Sequence, residues 1–296
     1  MIGGGENFRG VFAFGIFLLF FPVSTRAQFM GKQTGCYSPE IAANPNRPTV
    51  ANPADITQYG VLEIEYGWDR GWLGAGDRQS DLAGLLKFGL LCDVELRWNT
   101  TSLVMLDDSG GNRHGIGDNW FGPQVRFYRQ TAHVPSMAFS YAVKVPTAST
   151  SKGLGSGQVD HQFTFLASKD WVGTHFDFNA SSFLIGRDNA SGFDRNFQFN
   201  LAFSHPLKGK LAVTGEFYGN TELNSDTPGF ASMLWALTYA ISPRFVIDGG
   251  IDTGMTAGTP QKRVFAGLTY SIVNIYSAVR HRQSAAGIPK KTDSSR

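Results

Sequence analysis

From Tyr59 onwards the chain alternates between apolar and polar positions. Leu62, Ile64, Tyr66 and Trp68 share one side of an extended segment, while Val61, Glu63 and Glu65 share the other. Successive side chains of a strand point to opposite faces, so period two is the strand signature. The pattern recurs along the chain. Val94, Leu96 and Trp98 stand opposite Glu95, Arg97 and Asn99; Met137, Phe139, Tyr141, Val143 and Val145 stand opposite Ser140 and Lys144. Phe197, Phe199, Leu201 and Phe203 oppose Asn196, Gln198, Asn200 and Ser204, and the series closes with Val264 to Ile272 opposite Thr269 and Ser271. The alternation predicts twelve strands.

The connections carry a second rhythm. Long stretches near 69–80, 106–117, 147–158, 186–194, 220–229 and 255–262 hold Gly, Ser, Asp, Asn and Pro, and tight turns near 90–93, 130–134, 168–172, 205–209 and 241–244 lie between them. Up-and-down bacterial barrels combine an even strand number with short periplasmic turns and longer extracellular loops. Period two alone does not say which face is outside, because a soluble sandwich alternates too. The polar rows decide it: they are largely Asn, Gln, Ser, Thr, Ala and Gly rather than the Lys and Glu of a solvated surface. Trp68, Trp120, Tyr239 and Tyr276 fall toward strand ends, where interfacial girdles sit. The expected fold is all-β, a closed up-and-down antiparallel transmembrane β-barrel of about twelve strands.

Composition agrees with a chain that turns one face to lipid. Charged residues make up 17% of the sequence, against roughly 25% in a typical soluble domain. A net charge of +2 argues against nucleic acid as a partner. Residues 1–27 read as a signal peptide: Arg9, the apolar run Val11–Val23, then Thr25 and Ala27 ahead of a cut before Gln28. Thirteen apolar residues are too few to span the roughly 30 Å hydrocarbon core as a helix. Residues 28–57, rich in Pro, Asn, Gly and Ala without a period, read as an irregular periplasmic lead-in; 58–276 form the barrel, and 277–296 a polar tail of disordered composition. The expected location is the bacterial outer membrane, with membrane lipid, a small-molecule solute, and the export and barrel-assembly machinery as partners.

Several segments resemble a known family. They are VLEIEYGW (Val61 to Trp68), LKFGLLCDVELRW (Leu86 to Trp98), GIGDNWFGPQVRFY (Gly115 to Tyr128), YAVKVPTA (Tyr141 to Ala148) and GSGQVDHQF (Gly155 to Phe163). The chain from about 55 to 276 is similar to the outer-membrane transporters grouped as the MetA-pathway of phenol degradation family. The resemblance implies a barrel that takes up small, often aromatic or apolar compounds, and it carries over no site residue. In one respect the chain departs from such barrels, many of which end on an aromatic residue: here a polar tail follows Tyr276.

If the apolar rows face lipid, the lumen receives Glu63, Glu65, Lys87, Glu95, Arg97, Arg126, Lys144, Asp160, His175, Asp177, Glu216, Asp248 and Asp252. These are the candidate pore-lining residues. Two readings stay open: a narrow polar conduit with charged constrictions, or acids and bases paired across a blocked interior. An adhesive or structural barrel with a plugged lumen is the alternative function. An outer-membrane lipid hydrolase or acyltransferase is a weaker one, since Ser156, Asp160 and His161, or His175 with Asp177, match no motif with a mechanism. No catalytic residue, cofactor or metal is expected: the six histidines are scattered. Cys36 and Cys92 are the only cysteines; whether they form a disulfide stays open.

Overall fold

Thirteen strands supply nearly all the regular structure in this computed structural model, which describes residues 40–277 apart from 75, 189, 224–226 and 257–261. They are β1 (Val61–Gly74), β2 (Asp77–Leu91), β3 (Val94–Asp108), β4 (Gly111–Gly115), β5 (Asn119–Tyr128), β6 (Ser136–Val145) and β7 (His161–Trp171). The rest are β8 (Thr174–Gly186), β9 (Phe193–Lys208), β10 (Leu211–Asn220), β11 (Phe230–Ser242), β12 (Phe245–Gly254) and β13 (Lys262–Asn274). All pair antiparallel with their sequence neighbours, except that β4 pairs only with β3 and β3 pairs past it with β5. Strand β13 returns to β1, with Tyr66 opposite Leu268 and Gly67 opposite Gly267. Twelve strands therefore close a ring, and β4 extends the β3 hairpin outside it. Closure leaves no unpaired strand edge in the ring, the condition for a sheet to stand in lipid.

Exposure settles which way the sheet faces. Phe199 and Leu201 are 53% and 54% exposed, whereas the alternate positions Asn196 and Asn200 are 4% and 3% exposed. The apolar rows point out and the polar rows point in, the reverse of a soluble protein and the arrangement a hydrocarbon solvent demands.

The strands run further than the alternation suggests. Residues 69–80, which read as a loop, are mostly paired: Asp69 opposes Asp81 and Trp72 opposes Arg78. Ladder bonds belong to the backbone, so pairing continues beyond the apolar zone where the side-chain signal fades. Strand β4, sequence GNRHG, carries no apolar row at all, which is why it read as loop. At the other end β7 extends to Trp171, leaving a two-residue turn in which Val172 and Gly173 have φ of 49° and 76°. Positive φ at both positions matches the right-handed twist of a tight hairpin.

The unpatterned lead-in occupies the middle of the barrel. Ala51, Ala54 and Ile56 have no exposed surface. Val50 packs against Tyr218, Leu234, Ala236 and Phe265 of the inner wall, and Ala54 against Ala138 and Leu166. Residues 1–39 and 278–296, with the expected signal peptide, Cys36 and the polar tail, lie outside the described residues.

Candidate functional site

An irregular backbone enclosed by a barrel needs partners for its own N–H and C=O groups, because neither a ladder nor bulk water supplies them. Here the inner wall does so, chiefly through four glutamates. Glu63 accepts the N–H of Asn44 at 2.9 Å, and Glu65 those of Asn46 and Arg47, both at 2.9 Å. Glu216 accepts the N–H groups of Val50 and Ala51 at 2.7 Å each, and Glu95 that of Thr57 at 2.7 Å. Asn179 takes both polar groups of one peptide residue, accepting the Asn52 N–H at 2.7 Å and donating to its carbonyl at 2.8 Å. Ser168 accepts from Ala54 at 2.7 Å, and Gln124 donates to the Pro53 carbonyl at 2.9 Å.

Side chains complete the fastening. Lys87, fully buried, lies 2.7 Å from Glu63 and 2.6 Å from Glu65, and donates to the Asn44 carbonyl and the Asn46 side chain. Arg47 reaches across to Asp248 with two nitrogens, at 2.9 and 3.1 Å. Its guanidinium rests where side chains of Gly67 and Gly267 would otherwise stand: a Cβ on either glycine would fall within it. Arg97 donates to Gln124 at 2.6 Å and to Asn52 at 2.9 Å. Arg126 binds Asp55 of the segment at 2.7 Å and Asp93 of the β2–β3 turn at 2.8 Å. With Ser136 on Asp55 and Ser271 on the Ala42 carbonyl, residues 42–57 bond, among the described residues, to ten of the twelve ring strands, all but β9 and β11. The segment is a plug.

Asp93 lies outside the membrane-spanning strands, and its carboxyl is held below the ordinary value of 3.8. Burial alone would raise it, but hydrogen bonds from Arg129 and Arg126 and the charges of both outweigh that effect.

Every candidate pore residue therefore points inward, and most are engaged by the plug or by one another. Lys144 is separate: it binds Asp160 at 2.5 Å and Ser156 at 2.9 Å near the long-loop end. Asp252 pairs with Arg263 at 2.8 Å and accepts the Tyr218 hydroxyl above the plug. His175 sits between Asp170 at 2.7 Å and Asp177 at 3.1 Å. The Ser156, Asp160 and His161 set is not assembled, whereas His175 and Asp177 do meet. Ser156 goes to Lys144, His161 to the Tyr141 hydroxyl, and Ser168 donates to Asp177 rather than to His175. Of the two cysteines only Cys92 is described, in the β2–β3 turn.

Asn44, Asn46, Arg47, Asn52 and Asp55 escape a reading based on period, because the plug has none. One signal does point to them. The candidate lumen residues comprise eight carboxylates against four Lys or Arg and one His, an excess of acceptors that donors from elsewhere in the chain can meet.

Residues 45–272 match the family described as "Putative MetA-pathway of phenol degradation". The structure is similar to that of the COG4313 outer membrane channel from Pseudomonas putida F1, with a TM-score of 0.59 and 10% identity, over 72% of this chain and 96% of that one. It is also similar to the NanC porin, with a TM-score of 0.51 and 9% identity, over 71% of this chain and all of that one. Among curated proteins none matches the sequence.

Proposed function

Because the chain belongs to the MetA-pathway of phenol degradation family, we propose that it is an outer-membrane channel for small compounds, closed at rest by residues 42–57. The observation that carries this reading is the inverted barrel itself: an apolar exterior, a polar lumen, and a plug held there by hydrogen bonds rather than by a continuous apolar core. Hydrogen bonds to wall carboxylates exchange readily with water, so a plug held in this way can give ground to a solute without unfolding the ring. The Glu63, Glu65, Lys87, Glu95, Arg97, Arg126 and Glu216 side chains then line the path once the segment shifts, and Lys144, His175, Asp177 and Asp248 flank it. Small, weakly polar compounds, aromatic ones among them, are the proposed passengers.

In this reading the short turns face the periplasm, the signal peptide directs export, and a Cys36–Cys92 disulfide ties the start of the plug to the β2–β3 turn. Equal thiol titres with and without reductant would remove that tie. Single-channel recording in planar bilayers, with liposome swelling in candidate solutes, tests the function. Discrete steps and solute-dependent swelling are expected. A heat-modifiable barrel that shows neither is a structural or adhesive protein, the reading favoured by how completely the plug satisfies the wall.

A further inference from the structure

We propose that Val50 of the plug occupies, at rest, a binding site on the inner wall for an uncharged molecule with an apolar ring and one hydrogen-bond donor. The inference rests on the channel reading and says where the passenger binds. Of the two apolar clusters on the inner wall among the described residues, only one contains rings. Tyr218 on β10, Leu234 and Ala236 on β11 and Phe265 on β13 form it, with Val50 and Phe230 packed against them. The other joins Ala138 and Leu166 to Ala54 of the plug.

The seat is held in shape from behind. Gly250 leaves room for the Phe265 ring, since a Cβ there would stand 2.7 Å from Phe265 Cζ. The Tyr218 hydroxyl donates to Asp252, which fixes the Tyr218 ring, and Phe230 meets that ring edge-on with centroids 6.0 Å apart. Leu234 has no exposed surface. Rings set edge to face present both faces and edges to a further ring, so the seat suits an aromatic or alicyclic body as well as it does an isopropyl group.

Val50 also sits in the stretch of plug least tied to the wall. Arg47 is held by Asp248 on one side of it and Asn52 by Asn179 on the other. Between them, among the described residues, the hydrogen bonds to the wall all go to Glu216: the Val50 N–H to Oε2 and the Ala51 N–H to Oε1, at 2.7 Å each. Thr49 bonds back to the Asn46 and Ala51 carbonyls of its own segment. Val50 can therefore lift while both anchors stay. Lifting bares Glu216 Oε2, whereas Oε1 keeps the Asn200 side chain at 3.1 Å. A ligand hydroxyl or N–H donates to Oε2 in place of the backbone, and its ring takes the place of the isopropyl group. There is room for the rest of the ligand. A cavity of about 290 Å³ adjoins on the short-turn side, lined by Thr49, Ala212, Thr214 and Thr238, with Thr214 opposite Ala236 of the seat. A carboxylate ligand would meet Glu216 as like charge and lose its hydration against the rings.

The test is isothermal titration calorimetry at pH 7 of the folded full-length chain in detergent, with benzyl alcohol and benzoate as probes and detergent alone as the blank. Saturable single-site binding is expected for benzyl alcohol and none for benzoate. Val50→Ala leaves two fewer carbons to displace, so it should bind benzyl alcohol about five- to tenfold more tightly. Val50→Phe fills the seat with its own ring and should not bind it. Tighter binding is not a result that misfolding produces, and heat-modifiable mobility checks the ring in each variant. In the wild type, benzyl alcohol should also speed thermolysin cleavage before Val50, and benzoate should not. Equal binding by all three proteins, saturable binding that leaves the cleavage rate unchanged, or no saturable binding even by Val50→Ala would each overturn the site. Single-channel recording on the same preparation separates the two claims. Conductance steps without saturable binding remove the site and leave the channel; binding that frees Val50 without any steps keeps the site and removes the channel.

Discussion

Replacing Lys87 with methionine removes the one cation shared by two wall glutamates and the plug. Lys87 lies 2.7 Å from Glu63 and 2.6 Å from Glu65, with all three side chains at most 1% exposed. At an effective dielectric of about 20, each contact is worth about 6 kcal/mol of Coulomb energy, most of it offset by the desolvation of three buried charges. Removing one partner of such a cluster costs about 3–5 kcal/mol, because the remaining charges stay buried without compensation. Here the penalty has an outlet: if the plug withdraws, water enters and rehydrates Glu63 and Glu65 while the ring stays closed. The ratio of displaced to seated plug then rises by about a hundred- to a few thousand-fold. In planar bilayers Lys87→Met should conduct more often and at a higher level than the wild type, and thermolysin should cut before Val50 and Ile56 far sooner. Adding Glu65→Gln should restore part of the protection, since it removes one of the two stranded acids. Wild-type conductance together with wild-type protection in Lys87→Met would refute the view that this cluster holds the plug.

Three further outcomes follow from the same geometry. Arg47→Ala and Gly267→Ala each break the contact to Asp248, whose side chain is 2% exposed; each should loosen the plug by about 3 kcal/mol or more, and the double variant should be no worse than either single one, as protease protection would show. Leu201→Lys on the outer face should destabilise the barrel in lipid by about 2–4 kcal/mol if it sits near the midplane, read from urea unfolding in vesicles, whereas the same change at an equally exposed position facing water would be nearly neutral. Asp93, held below its ordinary 3.8, contributes stability that is full above the unfolded-state value and is lost as pH falls through the lower folded one. The difference in unfolding midpoint between wild type and Asp93→Asn should therefore be constant around neutrality and shrink only in strong acid; a difference that disappears by pH 6 would contradict the assignment.

The sequence by itself determined the barrel. Alternation sets the face on which each residue lies: Glu63 and Glu65 must point one way if Ile64 and Tyr66 point the other, whatever the fold around them. The rhythm of long and short connections made the sheet an even-stranded meander, and the shortage of charge turned its apolar face outward. What lies within a strand's own period was legible from Val61 to Asn274, and the inward position of the candidate lumen residues followed from it. Two local features were not legible. The hairpin ends at 69–80 pair through backbone alone, and GNRHG forms a strand only because β3 continues beside it.

Only the tertiary structure decided what those inward residues do. Residues 42–57 bond to strands whose contacting residues lie up to 229 positions away in sequence, as between Ser271 and Ala42, and no local pattern encodes a partner at that distance. Arg47 illustrates the reason: its place is set by Asp248 on β12 and by two glycines on β1 and β13, three strands that become neighbours only when the ring closes. A plug whose backbone groups are satisfied by wall side chains needs neither period nor propensity of its own. It therefore reads as irregular until the wall that receives it is in place.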